Sequence, residues 1–234
     1  MIRQELTKRS PIRILEKTAS GGLGQGNVGV FAAFHGVGKT ACLVHFSIDA
    51  LLRGKKVLHI SFTDHPDHIY SWYESIFEEM RKAYRLEMAT EIHEELAANR
   101  MIMNFNIKHA AFKDLKGKIN HLTQDLKFNP EVIIFDGFEP DAASGEFIEG
   151  FKALAVEYNA ELWASFALAQ EHANSESADL PESLQSHFSR LSVIVILAIC
   201  GKKIVLKLLK DHERNVVGDT HLVLNPTSLL ITEE

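Results

Sequence analysis

Apolar positions along the chain follow two alternating rhythms. Short continuous apolar runs, Val28–Phe34, Val57–Phe62, Met101–Phe105, Glu131–Phe135 and Leu162–Ala167, read as strands buried on both faces. Between them, apolar residues recur at helical spacing over Thr40–Leu52, Ile69–Met88, Thr90–Ala98, Phe112–Leu126 and Phe147–Tyr158. Gly54 closes the first of these helices, and Ser20–Asn27 is a glycine-rich turn feeding the first strand. Gln170–Ser186 is polar and reads as a loop with some helix. Val193–Ile199 and Ile204–Leu209 form a hairpin around Cys200-Gly201-Lys202, and Leu222–Leu224 and Leu229–Thr232 are short closing strands. Strands alternating with helices imply an α/β fold, a mostly parallel twisted sheet with helices on both faces, with a C-terminal antiparallel hairpin at one edge.

Composition narrows this picture only slightly. The 234 residues suffice for one large core, and no repeat or low-complexity linker divides them. Residues 1–19 form a locally basic arm or helix, and 20–234 a single domain. The formal net charge of −6 argues against general affinity for nucleic acid. Two cysteines, Cys42 and Cys200, imply neither a disulfide framework nor a thiolate metal site. The N-terminus lacks a signal peptide's apolar segment, and Val193–Cys200 is too short to span a bilayer, so a cytoplasmic protein without membrane partners is expected.

Chemistry enters at Ala33-Phe-His-Gly-Val-Gly-Lys-Thr40, between the first strand and first helix. This is the Walker A pattern with Ala in place of the first Gly. Backbone N–H groups of such a turn, at a helix N-terminus, cradle phosphates. Ala33, Phe34, His35, Gly36, Val37, Gly38, Lys39, Thr40 and Ala41 are thus the expected phosphate-binding segment, with Lys39 on the β/γ-phosphates and the Thr40 hydroxyl on Mg²⁺. Ala33 is tolerable only if its backbone is extended. Val132-Ile-Ile-Phe-Asp136 is an apolar strand ending in a carboxylate, the Walker B pattern, and gives Asp136 as the second Mg²⁺ ligand.

Two further stations follow. Asp64 leaves the second strand, expected beside the first, and is the candidate for orienting an attacking water; alternatively Asp64 or Asp67 caps the helix entered through Pro66. His65 and His68 nearby read as solvent-facing rather than as metal ligands. Lys210 and Arg214, in Leu208-Leu-Lys-Asp-His-Glu-Arg214, are candidate cations for transition-state charge, in cis or from a neighbouring subunit; the alternative is a charged hairpin exit.

The order of these stations resembles RecA-like P-loop ATPases, in particular the KaiC-like branch. The resemblance is carried by Gly21-Gly-Leu…Gly26-Asn…Ala33–Thr40, by Gly54-Lys-Lys-Val-Leu-His-Ile-Ser-Phe-Thr-Asp-His-Pro66, by Val132–Asp136 and by Gly201–Lys210, and spans residues 20–215. It implies a RecA-type core, ATP with Mg²⁺, and often a ring-shaped assembly with sites at subunit interfaces; a dimer is the other homo-oligomer considered. It also implies a γ-phosphate-sensing role for Gln170. Two departures stand out: Thr63-Asp64 replaces the paired glutamates, and Lys210-Asp-His212 replaces the spaced basic pair. The expected function is a slow ATPase regulating an assembly or a protein partner. Its rivals are a non-hydrolysing nucleotide-binding interaction module and a DNA recombination or helicase-type ATPase. No Asn-Lys-x-Asp motif points to guanine.

Overall fold

The structure, a computed structural model, describes residues 2–85, 89–107, 111–139, 145–168 and 182–234. Among the described residues, nine strands form one sheet: β1 (Val28–Ala33), β2 (Val57–Ser61), β3 (Arg100–Asn104), β4 (Val132–Phe138), β5 (Glu161–Ala167), β6 (Val193–Cys200), β7 (Lys203–Asp211), β8 (Arg214–Leu224) and β9 (Ile231–Glu233). Their order is β3-β2-β4-β5-β1-β6-β7-β8-β9. The six strands from β3 to β6 are parallel, and β7, β8 and β9 extend the sheet antiparallel from β6. The α/β class and the C-terminal antiparallel hairpin follow the sequence pattern.

Strand alternation divides the interior into two layers. Phe31, Ala33, Val132 and Ile134 face one layer, while Val30, Ala32, Ile133 and Phe135 face the other. The first layer packs α1 (Ile2–Arg9), α2 (Ile12–Thr18), α3 (Lys39–Leu52), α4 (Pro66–Tyr84) and α5 (Ala89–Ala98). The second packs α6 (Phe112–Gln124), α7 (Gly145–Glu157) and the short α8 (Glu182–Gln185). Runs apolar on both sides were therefore the correct signal for central strands. The basic N-terminal segment is two helices whose Leu6, Ile12 and Leu15 are buried in the same layer as α3, with Arg13 paired to the buried Asp49.

The structure revises several sequence boundaries. α4 starts at Pro66, because His65 is its N-cap and takes the amide of Asp67 on Nδ1. Neither Asp64 nor Asp67 caps it. The C-terminal part contains a second full hairpin: β8 has 11 residues, where the sequence pattern suggests three at its end. Register shifts at Leu206/Lys207 and Leu208/Lys210 break the period-2 alternation that would have marked this strand.

The histidine on α3 that holds the last strand gives the fold a pH dependence. His45 is buried, and its Nε2 accepts the Ile231 N–H at 3.2 Å. Protonation would bury a charge and remove that acceptor, and burial pushes the pKa from 6.5 down to about 4. Between these values the unfolded chain binds the extra proton. Stability from the neutral ring is fully present above pH 6.5 and is lost as pH falls towards 4, up to about 3 kcal/mol. Urea unfolding at pH 7 and pH 4.5 checks this. The wild type should lose about 2 kcal/mol more across the interval than His45→Gln, which keeps an acceptor but does not titrate. Equal losses in the two proteins would contradict the assignment.

Candidate functional site

The C-terminal end of β1 opens into the glycine-rich loop and then α3. Ala33 is the last residue of β1 and, with Phe34 and His35, avoids positive φ, so alanine fits there without strain. The turn is made instead by Gly36 (φ 77°) and Gly38 (φ 111°). Gly38 is also the N-cap of α3, and a Cβ on it would stand 2.3 Å from Cδ2 of Leu224. The position therefore excludes side chains on two grounds, conformation and space. The first-turn amides of α3 are left without a side-chain cap, the arrangement that suits an anion.

Lys39 folds back over the loop. Its ammonium donates to the carbonyls of Ala33 (2.9 Å) and Phe34 (2.8 Å). Burial lowers its pKa from the usual lysine value, opposed by the negative charges of Asp136 and Glu139. Lys39, Thr40 and Asp136 border one cavity of about 260 Å³, together with His35, Gly36, Val37 and Gly38. Ala41 is buried in the core, so only its backbone could serve a ligand. Gln170 lies outside the described residues.

Asp136 is held by the strand between β4 and β1. Ser165, in the middle of β5 and fully buried, donates to Asp136 Oδ1 at 2.7 Å and accepts the Gly137 N–H at 2.7 Å. The β4–β5 register shifts between Phe135 and Phe138, which turns the end of β4 out of the regular ladder at the carboxylate. On the other side, Oδ2 stands 3.9 Å from Nε2 of the buried His59, beyond hydrogen-bond reach. His59 Nδ1 is 3.1 Å from the Tyr73 hydroxyl, and its Nε2 has no hydrogen-bond partner among the described residues. Burial keeps His59 below its ordinary pKa, against the pull of Asp136.

The chain matches no protein-family model and no curated protein.

The remaining candidates are elsewhere. β4 and β5 separate β2 from β1, so Asp64 does not leave a neighbouring strand. Thr63, not Asp64, borders the cavity. The Asp64 carboxylate lies 3.3 Å from His68 Nδ1, its amide donates to Ser61 Oγ, and its carbonyl accepts from Asn104. Lys210 pairs in register with Ile194, which pairs with Val30, and Asp211 pairs with Val193, which pairs with Gly29. The β7–β8 turn thus sits at the end of the sheet where β1 begins, away from the loop. There Lys210 is buried and donates to the Phe188 carbonyl at 2.5 Å, and Arg214 pairs with Asp211 and Ser20. Both cations are engaged inside this chain.

Several residues bordering the cavity have no local sequence signal. Ile204, Leu224, Pro226 and Leu229, from the antiparallel extension, make an apolar wall, and Trp72 reaches in from α4. Only the strand order brings them there. Ser165 did have a signal, a hydroxyl inside an otherwise apolar strand. Glu139, just past β4, also borders the cavity.

A magnesium ion takes oxygen ligands and commonly keeps several waters, with one or two carboxylates and substrate phosphates. Thr40 and Asp136 are an oxygen donor pair on one cavity, and Oδ2 of Asp136 is not committed to His59. Among the described residues no cluster of three or more His, Cys, Asp or Glu could cage a metal without such help. The donors present fit magnesium brought with a phosphate ligand. No helix among the described residues is long and apolar enough to cross a membrane.

Proposed function

We propose that this chain binds a nucleoside triphosphate with Mg²⁺ at Ala33–Ala41 and is a slow RecA-like ATPase that regulates an assembly or a protein partner. The observation that carries the reading is the loop itself. Uncapped first-turn amides, two left-handed glycines and a lysine ammonium at the same turn open onto a cavity that also holds Thr40 and Asp136. Phosphates would take the amides and the ammonium, and Thr40 and Asp136 would hold the magnesium that neutralises them. Adenine is the base implied by the sequence resemblance. A base would lie against the apolar wall of Ile204, Leu224, Pro226 and Leu229.

Calorimetric titration with ATP, in magnesium and in EDTA, tests this. Wild type should bind with micromolar affinity in magnesium, and Asp136→Asn should weaken that binding about tenfold, roughly 1.4 kcal/mol, while leaving the EDTA value unchanged. Absence of any binding heat with ATP·Mg²⁺ would rule the site out. A second reading, nucleotide held without turnover, is favoured by the inward pairing of Lys210 and Arg214, since neither is free to reach a phosphate from within this chain. Single-turnover hydrolysis separates the two readings.

A further inference from the structure

Among the described residues, two carboxylates stand on the cavity wall, and their settings differ. Asp136 is buried and fixed by Ser165. Glu139 stands at the mouth, with its side chain 59% exposed, where it meets His35 of the loop at 3.5 Å. Both border the cavity that Lys39 also lines, so Glu139 stands on the wall of the space where phosphate charge would sit. The other acidic candidate, Asp64, does not border the cavity, and its carboxylate faces His68. Thr63 does border it, but a hydroxyl is no base at neutral pH.

We propose that Glu139 is the catalytic carboxylate of this site and that its pairing with His35 is the resting position from which a bound triphosphate releases it. The proposal rests on the nucleotide-binding reading above. His35 sits between Phe34 and Gly36, on the turn that phosphates would occupy. A γ-phosphate arriving there competes with Glu139 for the imidazole, and the freed carboxylate can turn to a water in line with the phosphorus. In the step, the water oxygen bonds to the γ-phosphorus as the bond to the β–γ bridging oxygen breaks. The electron pair leaves on ADP, and Glu139 takes the water proton and returns it to solvent. No oxidant or further reactant is needed.

The test is single-turnover hydrolysis of γ-labelled ATP with excess enzyme and Mg²⁺, with binding measured separately by calorimetry. Glu139→Gln should bind ATP within threefold of wild type and hydrolyse it at least a hundredfold more slowly. Glu139→Asp should recover part of the rate, and Asp64→Asn should be slowed less than threefold. Wild-type rates in Glu139→Gln would overturn the role of Glu139 and leave the binding site standing. So would wild-type protein that binds ATP and never turns it over. Failure of wild type to bind ATP at all would overturn the nucleotide reading itself.

Discussion

Lys39→Ala is expected to lose at least a hundredfold in ATP·Mg²⁺ affinity while keeping the fold. The ammonium makes two contacts in the free protein, with the carbonyls of Ala33 and Phe34. The first carbonyl also accepts the Leu168 N–H at 3.0 Å, so it remains satisfied without the lysine. The second belongs to Phe34, a half-buried loop residue. The folded state therefore loses little, within about 0.5 kcal/mol. The bound state loses a charge-assisted contact to phosphate in a partly desolvated pocket, about 3 kcal/mol, which is the hundredfold. Lys39→Arg should rescue only in part, because a planar fork cannot reproduce a point charge folded over two carbonyls. Calorimetric titration gives the affinities and urea unfolding gives the stability. An unchanged affinity in Lys39→Ala would remove the loop as the phosphate site.

Gly29→Ala is expected to destabilise the protein by about 2–3 kcal/mol without touching the cavity. Gly29 lies in β1, paired to Trp163 of β5 on one side and Val193 of β6 on the other. A Cβ there would stand 2.6 Å from two carbons of the Trp163 ring. That ring cannot retreat easily. It stacks on Phe31 with centroids 5.1 Å apart and leans on Phe46 at 4.9 Å. The glycine is there to admit the indole, and its backbone makes no left-handed turn. The prediction thus includes a rescue. In the double variant Gly29→Ala/Trp163→Leu, the two penalties should fall short of additivity by more than 1 kcal/mol, because each change removes the other's cause. Urea midpoints of the four proteins close the cycle. Strict additivity would show that the ring and the glycine are independent.

These cases mark what could be read in the chain and what could not. The parallel core was legible because each central strand is apolar on both sides, as β1 and β4 show, and because its helices keep a 3.6-residue rhythm. The glycine-rich turn between β1 and α3 and the place of Asp136 on β4 were legible because each depends on contiguous residues. Failures came where the answer depends on which strands are neighbours. Asp64 was chosen on the expectation that β2 lies beside β1; two strands intervene, and it is Thr63 that borders the cavity. Within one chain, Lys210 and Arg214 could serve the loop only from the loop end of the sheet, and a tight turn between β7 and β8 keeps them at the other. The apolar wall at Leu224 and Leu229 comes from the end of the chain and leaves no mark near the loop. β8 was underestimated because its bulges disrupt the alternation by which a strand is recognised.

The sheet order also bears on how the molecule comes into being. β1, which carries the loop, has β5 and β6 as its partners, through pairs such as Val28↔Leu162 and Gly29↔Val193. β2, β3 and β4 are synthesised before β5 and β6 and can form ladders among themselves, but none of them pairs with β1. During translation the loop strand must wait, unpaired, until β5 (Glu161–Ala167) has emerged. Closing such distant contacts is slow and leaves apolar strand edges open in the meantime. The nascent protein should therefore be most in need of a chaperone while its most recognisable segment is already outside the ribosome.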